Sequence, residues 1–202
     1  MKTKKMDTRR LVLLAMLSGI LLIMSYTPLG YLNIGPLAIS LNMIPVAIGA
    51  VALGPGGGAF LGAVFGITSC LQCVGIGGTS AMGVILFEIS PVLAMVQRFV
   101  PRALAGFLTG VVYQLLEKRT WRISAYVAGF CAALLNTVLF MTALVLLFGN
   151  TEYLQELIAG RNVLLFAVTF VGINALVEML AATVVVGAVC TALKKLKLIG
   201  GE

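Results

Sequence analysis

Arg98 and Arg102 stand four residues apart in otherwise apolar sequence, with Gln97 beside the first of them. Four residues is about one helical turn, so both guanidiniums leave one face. Two planar donor forks at that spacing suit a carboxylate, which each can bind bidentately. Asn174 and Glu178 repeat the interval near the other end of the chain, and Asn136 sits alone in an apolar run. Asn42 precedes one apolar run, and Thr68, Ser69 and Gln72 close the next. This set can recognise a small polar molecule, and little in it can catalyse a reaction.

Other chemistry is missing. The chain has no histidine and no cluster of carboxylates, which disfavours acid–base and metal-assisted catalysis. Its densest glycine run, Gly54-Pro55-Gly56-Gly57-Gly58, lacks the lysine of a phosphate-binding loop, so no means of hydrolysing ATP is visible. Cys70-Leu-Gln-Cys73 has the spacing of metal ligands but no second pair; the four cysteines read as small apolar helix residues. Neither enzyme activity, metal nor cofactor is expected.

The elements that must position these groups follow from composition. Hydrophobic residues make up 60% of the 202 and charged residues 10%, against roughly 45–50% and about 25% in soluble domains. The class is a polytopic membrane protein forming a single domain over residues 1–202. The net charge of +7 does not indicate nucleic acid, because no basic groove interleaved with aromatics exists. Lys2, Lys4, Lys5, Arg9, Arg10, Lys118, Arg119, Arg122, Lys194, Lys195 and Lys197 instead flank apolar spans; Arg98, Arg102 and Arg161 do not. Cations retained in the cytoplasm set topology this way.

The expected fold is all-α, a six-helix transmembrane bundle with spans near 9–26, 40–53, 55–71, 101–116, 123–148 and 163–193. The second and third are short. A Pro/Gly-rich loop at 27–36, a glycine-containing connector at 74–90 and a loop at 149–162 join them. Pro101 interrupts a helical pattern running from Pro91 to Glu117 and should kink it. Six crossings put both basic termini in the cytoplasm of a cell-membrane protein.

At the centre, Leu41 to Gln72 forms a hairpin turning at Gly54–Gly58. Gly54, Gly58, Gly62 and Gly66 leave a bare helical stripe for another backbone. In this topology every polar candidate except Glu178 and Asn136 falls in the outer half, as for a pocket open to the outside. Each keeps two readings. Arg98 and Arg102 contact a ligand or anchor a helix end at the headgroups; Asn174, Glu178 and Asn136 line the pocket or hold helices together. Tyr26, Tyr31 and Tyr153 read as interfacial aromatics or, being in loops, as rings that close over a bound molecule. In the first span, Ala15-Met-Leu-Ser18-Gly19 is a small-xxx-small motif, serving internal packing or a second protein.

Together these residues resemble the substrate-binding S components of energy-coupling factor (ECF) transporters. The resemblance rests on six spans in about 200 residues, Ala15-xxx-Gly19, Ile44-Pro-Val-Ala-Ile-Gly-Ala-Val-Ala-Leu-Gly-Pro55, Gly58-Ala-Phe-Leu-Gly-Ala-Val-Phe-Gly66 and Arg98-Phe-Val-Pro-Arg-Ala-Leu-Ala-Gly-Phe-Leu-Thr-Gly110. It implies a vitamin-binding subunit that works with a transmembrane scaffold and two cytoplasmic ATPases. It also implies substrate entry from outside under loops one and three, and delivery inward by toppling on docking. The docking motif, usually Ala-xxx-Ala, maps onto Ala15 and Gly19, with glycine as the departure. The sequence looks most similar to pantothenate-type members, and the two arginines suit that carboxylate. Biotin and folate also carry carboxylates, and riboflavin and thiamine derivatives stay open. The competing class is a stand-alone proton-coupled secondary transporter or channel, with Glu178 as coupling carboxylate, although no inverted repeat is evident. A structural membrane protein would bind no small molecule.

Overall fold

A computed structural model describes residues 8–33, 38–77, 80–118, 120–160, 162–196 and 198–199. Lys2, Lys4, Lys5, Arg119, Arg161 and Lys197, used above for topology, lie outside the described residues.

The chain runs α1 (Thr8–Tyr26), β1 (Tyr31–Asn33), β2 (Ala38–Ser40), α2 (Met43–Leu53), α3 (Pro55–Cys73), α4 (Ala81–Ile89), α5 (Pro91–Glu117), α6 (Trp121–Phe148), α7 (Glu152–Ile158) and α8 (Val163–Lys195). It is the expected all-α polytopic bundle. Helices α1, α3, α5, α6 and α8 contain apolar stretches long enough to cross a membrane. The Pro/Gly-rich segment after α1 makes no helix, and its strands pair as a small antiparallel hairpin, Tyr31 opposite Ser40.

Three expectations need correction. The third helix is not short: α3 has 19 residues, because close packing offsets the low helix propensity of its glycines. The 74–90 connector contains α4, started by Ser80, whose hydroxyl accepts from the Gly83 amide at 3.3 Å. The 149–162 loop contains α7, capped by Thr151. The second helix is short as expected, 11 residues or about 16 Å. It can be short because it is interior: Met43, Val46, Ala47 and Ala50 are all but inaccessible. Pro45 falls in its first turn, where no backbone donor is required.

Gly54 turns α2 into α3 with φ +81°, a conformation side chains rarely tolerate. Beyond it the glycine stripe meets α5. A Cβ on Gly58 would strike the Gly106 carbonyl, one on Gly62 the Arg102 carbonyl, and one on Gly66 the Phe99 backbone. The seam therefore draws the α3 backbone against the turn of α5 that carries Arg102. Gly62→Val is expected to cost at least ~1–3 kcal/mol by overpacking, seen as a lower melting temperature in detergent. Gly56→Ala, where nothing lies within 4 Å of the new methyl, should leave melting unchanged.

At the opposite end of the bundle from the hairpin, the last turns of α5 and α8 are tied by a Lys194–Glu117 ion pair. The Tyr113 hydroxyl donates to the same carboxylate at 3.0 Å.

Candidate functional site

Arg98, Arg102, Ser69, Gln72 and Glu178 all make their hydrogen bonds near the hairpin end of the bundle. Arg98, on the buried face of α5, donates from Nη1 to Ser69 Oγ of α3 at 3.1 Å and from Nη2 to Ser80 Oγ at 3.0 Å. One serine hydroxyl thus caps α4 and holds a guanidinium. Pro101 lacks the amide hydrogen that would bond one turn back, which loosens the ladder here. Arg102 Nη1 donates to the Arg98 carbonyl at 2.6 Å. Its guanidinium carbon lies 4.6 Å from the Phe65 ring centre and 5.3 Å from that of Phe140. Rings at such distances attract a desolvated cation.

The hairpin covers this pair. The Tyr31 hydroxyl donates to Gln72 Oε1 at 3.1 Å, and Gln72 Nε2 donates to the Ser25 carbonyl at 2.8 Å. Burial pushes the Tyr31 phenol above its ordinary pKa, while Arg102 and the Gln72 bond pull the other way. Tyr31 is therefore a neutral donor at physiological pH, bonded inward rather than serving as an interfacial anchor. Across the hairpin, the Ser40 amide donates to Glu178 Oε1 of α8 at 2.6 Å. Glu178 is close enough to Arg102 to interact with its charge. Although midway along α8 in sequence, it reaches the hairpin.

Asn42 occupies the N-cap of α2 but makes no capping bond. It is wholly inaccessible, lies beside Tyr31, and neither of its amide atoms has a hydrogen-bond partner. Gln97 is also wholly buried with both amide atoms unpartnered. The Nε atoms of Arg98 and Arg102, Oδ1 of Asn136 and the hydroxyls of Thr27 and Ser40 are unpartnered too. Asn136 precedes Phe140 by one helical turn and so faces the same side as the ring on Arg102. Asn174 is buried one turn from Glu178 on α8. Cys70 and Cys73 are free thiols, each donating to a backbone carbonyl.

Buried polar groups without partners are uncommon, and each costs roughly 1–3 kcal/mol. Two of them are the Nε atoms of guanidiniums that, among the described residues, have no ion-pair partner. The arrangement offers positive charge, amide donors and acceptors, and apolar ring faces to a small anionic molecule. Thr68 and Ser69 are spent internally, Thr68 on Ser25 Oγ at 3.2 Å and Ser69 on Arg98. Sequence reasoning missed Phe65, Phe140, Ser40 and Ser80. Only Ser80, a helix-start residue type, carried a local signal.

On α1, Ala15 is exposed, and a Cβ on Gly19 would meet nothing within 4 Å. Ser18 Oγ donates back to the Leu14 carbonyl at 2.8 Å. Among the described residues, nothing packs where a Gly19 side chain would stand.

The family model for the substrate-specific component of ECF transporters matches residues 9–190. A pantothenic acid transporter, PanT, of Lactococcus lactis subsp. cremoris is 29% identical over 202 residues, covering 95% of this chain and 97% of its own. A pantothenate transporter, PanT, of Leuconostoc mesenteroides subsp. mesenteroides is 27% identical over 191 residues, covering 90% of each. By the match over residues 9–190 the chain belongs to the ECF transporter substrate-specific components; it is a membrane transport subunit, not an enzyme.

Proposed function

We propose that this subunit captures pantothenate from outside the cell and delivers it inward on a separate ECF module. The observation that carries the reading is the buried Arg98–Arg102 pair surrounded by unpartnered amides. Pantothenate presents a carboxylate, an amide and two hydroxyls, which match guanidinium forks and carboxamides in kind. Arg98 and Arg102 hold the carboxylate, and Asn42, Gln97 and Asn136 bond the polar remainder. Gln72 closes the α3 side of the site, and Asn174 and Glu178 the α8 side. The PanT relatives support the choice of vitamin, since their names say pantothenate.

Delivery requires a motor that the sequence lacks. Ala15, Ser18 and Gly19 form the face of α1 that meets the transmembrane scaffold, because small residues with open space allow close helix approach. The scaffold carries two cytoplasmic ATPases, and docking topples the subunit so that its site faces inward. Both termini then lie in the cytoplasm.

Titration calorimetry on the purified chain tests the vitamin. Pantothenate is expected to give saturable heat with one site per chain, and riboflavin and thiamine none. Saturation by a neutral vitamin alone would remove the carboxylate assignment. Arg98→Ala is expected to weaken pantothenate about tenfold, less than a change at Arg102, because two of its donors are already held by serines. Unchanged affinity would place the carboxylate elsewhere.

A further inference from the structure

We propose that Glu178 is a positioning residue for the β1–β2 hairpin, acting through the Ser40 backbone amide and not through the ligand. The register supplies the reason. Leu41 N donates to the Gly30 carbonyl at 3.0 Å, and Tyr31 stands opposite Ser40 in the next rung. In an antiparallel pair the rungs alternate between hydrogen-bonded and open, and amides of open rungs point out of the ladder. Ser40 therefore turns its N–H away from β1, where it would have no backbone acceptor. Glu178 Oε1 takes it at 2.6 Å.

The same rung is held on its other side. Tyr31 donates to Gln72 on α3, and Gln72 is fixed by the Ser25 carbonyl. The line Gln72–Tyr31–Ser40–Glu178 thus spans from α3 to α8, with an open rung of the ladder, not a hydrogen bond, as its middle. Arg102 lies within electrostatic reach of both Tyr31 and Glu178, so this line passes over the cation. Each anchor reaches the hairpin through one hydrogen bond, and that to Glu178 is the shorter, 2.6 Å against 3.1 Å for Tyr31 to Gln72. The Glu178 anchor ties β2 to α8, and it sets how quickly a molecule beneath the hairpin escapes.

The effect on release rests on the pantothenate reading, but the anchoring itself is tested without ligand. Hydrogen exchange at the hairpin is followed on the full chain in lipid nanodiscs, alongside dissociation of radiolabelled pantothenate. In Glu178→Ala, exchange at residues 31–33 and 38–41 should accelerate about tenfold and dissociation by a similar factor. Glu178→Gln keeps an oxygen acceptor for the Ser40 amide and should stay within about threefold of the parent in both. Ser40→Pro deletes the donor itself and should reproduce Glu178→Ala, and the double variant should be no faster than either single one.

Two results would overturn the assignment. One is unchanged hairpin exchange in Glu178→Ala. The other is a Glu178→Gln variant that releases pantothenate as fast as Glu178→Ala while hairpin exchange stays slow, since the carboxylate would then be touching the ligand. If the parent binds no pantothenate, the vitamin reading fails, and the exchange measurements still decide the anchor.

Discussion

Arg102→Met should reduce pantothenate affinity about a hundredfold while making the ligand-free protein melt no lower than the parent. The two halves have one cause. Arg102 is 7% exposed, sits against Phe65 and Phe140, and spends one Nη on the Arg98 carbonyl. Its Nε has no partner, and its charge sits beside that of Arg98. A buried cation beside a second one is costly, with Glu178 acting on it only from beyond ion-pair distance, and truncating one member of a buried charge pair typically loses ~2–5 kcal/mol of binding. Methionine keeps the stem against the two rings and removes the unmet charge, so the empty fold gives up little. Arg102→Lys keeps the charge but loses the planar fork, and should recover part of the affinity. Calorimetry and thermal melting on the same preparations check both halves. A variant that binds normally places Arg102 outside the site.

Large residues on α1 should separate capture from delivery. Gly19→Leu or Ala15→Leu is expected to lower pantothenate uptake at least tenfold in cells and to leave binding by the isolated chain within about twofold. The structure gives these substitutions room: a Cβ on Gly19 meets nothing, and Ala15 is exposed. With that space free, the fold and the site have no reason to change. A leucine would instead stand where a partner helix must come close. Uptake that survives both substitutions would put the docking face elsewhere on the subunit. Loss of binding together with uptake would mean that the notch serves the fold.

Much of the architecture was legible because it depends on period and composition. Apolar runs with few charges read as helices in lipid, where no other open structure satisfies the backbone. The glycines at every fourth position of α3 announced a close backbone contact. The same pattern could not say that α5 was the partner, since any helix can lie along a bare stripe. Helix α4 escaped notice because Gly75, Gly77, Gly78 and Gly83 dominate that segment, and the Ser80 cap outweighed them locally. The third helix ran two residues past its expected end for the opposite reason, with packing extending it beyond its propensity.

The amino-acid sequence by itself determined that this is a multi-helix membrane protein, that it carries two arginines one turn apart, and that none of its recognisable motifs hydrolyses ATP. Those properties live in residue type and local spacing. Only the tertiary structure decided that Asn42 stands uncapped beside Tyr31, that Phe65 and Phe140 flank Arg102, and that Glu178 holds the Ser40 amide 138 positions away. Contacts between α3, α6, α8 and the hairpin depend on how the helices pack, and a buried amide has no sequence mark telling whether its partner will be there.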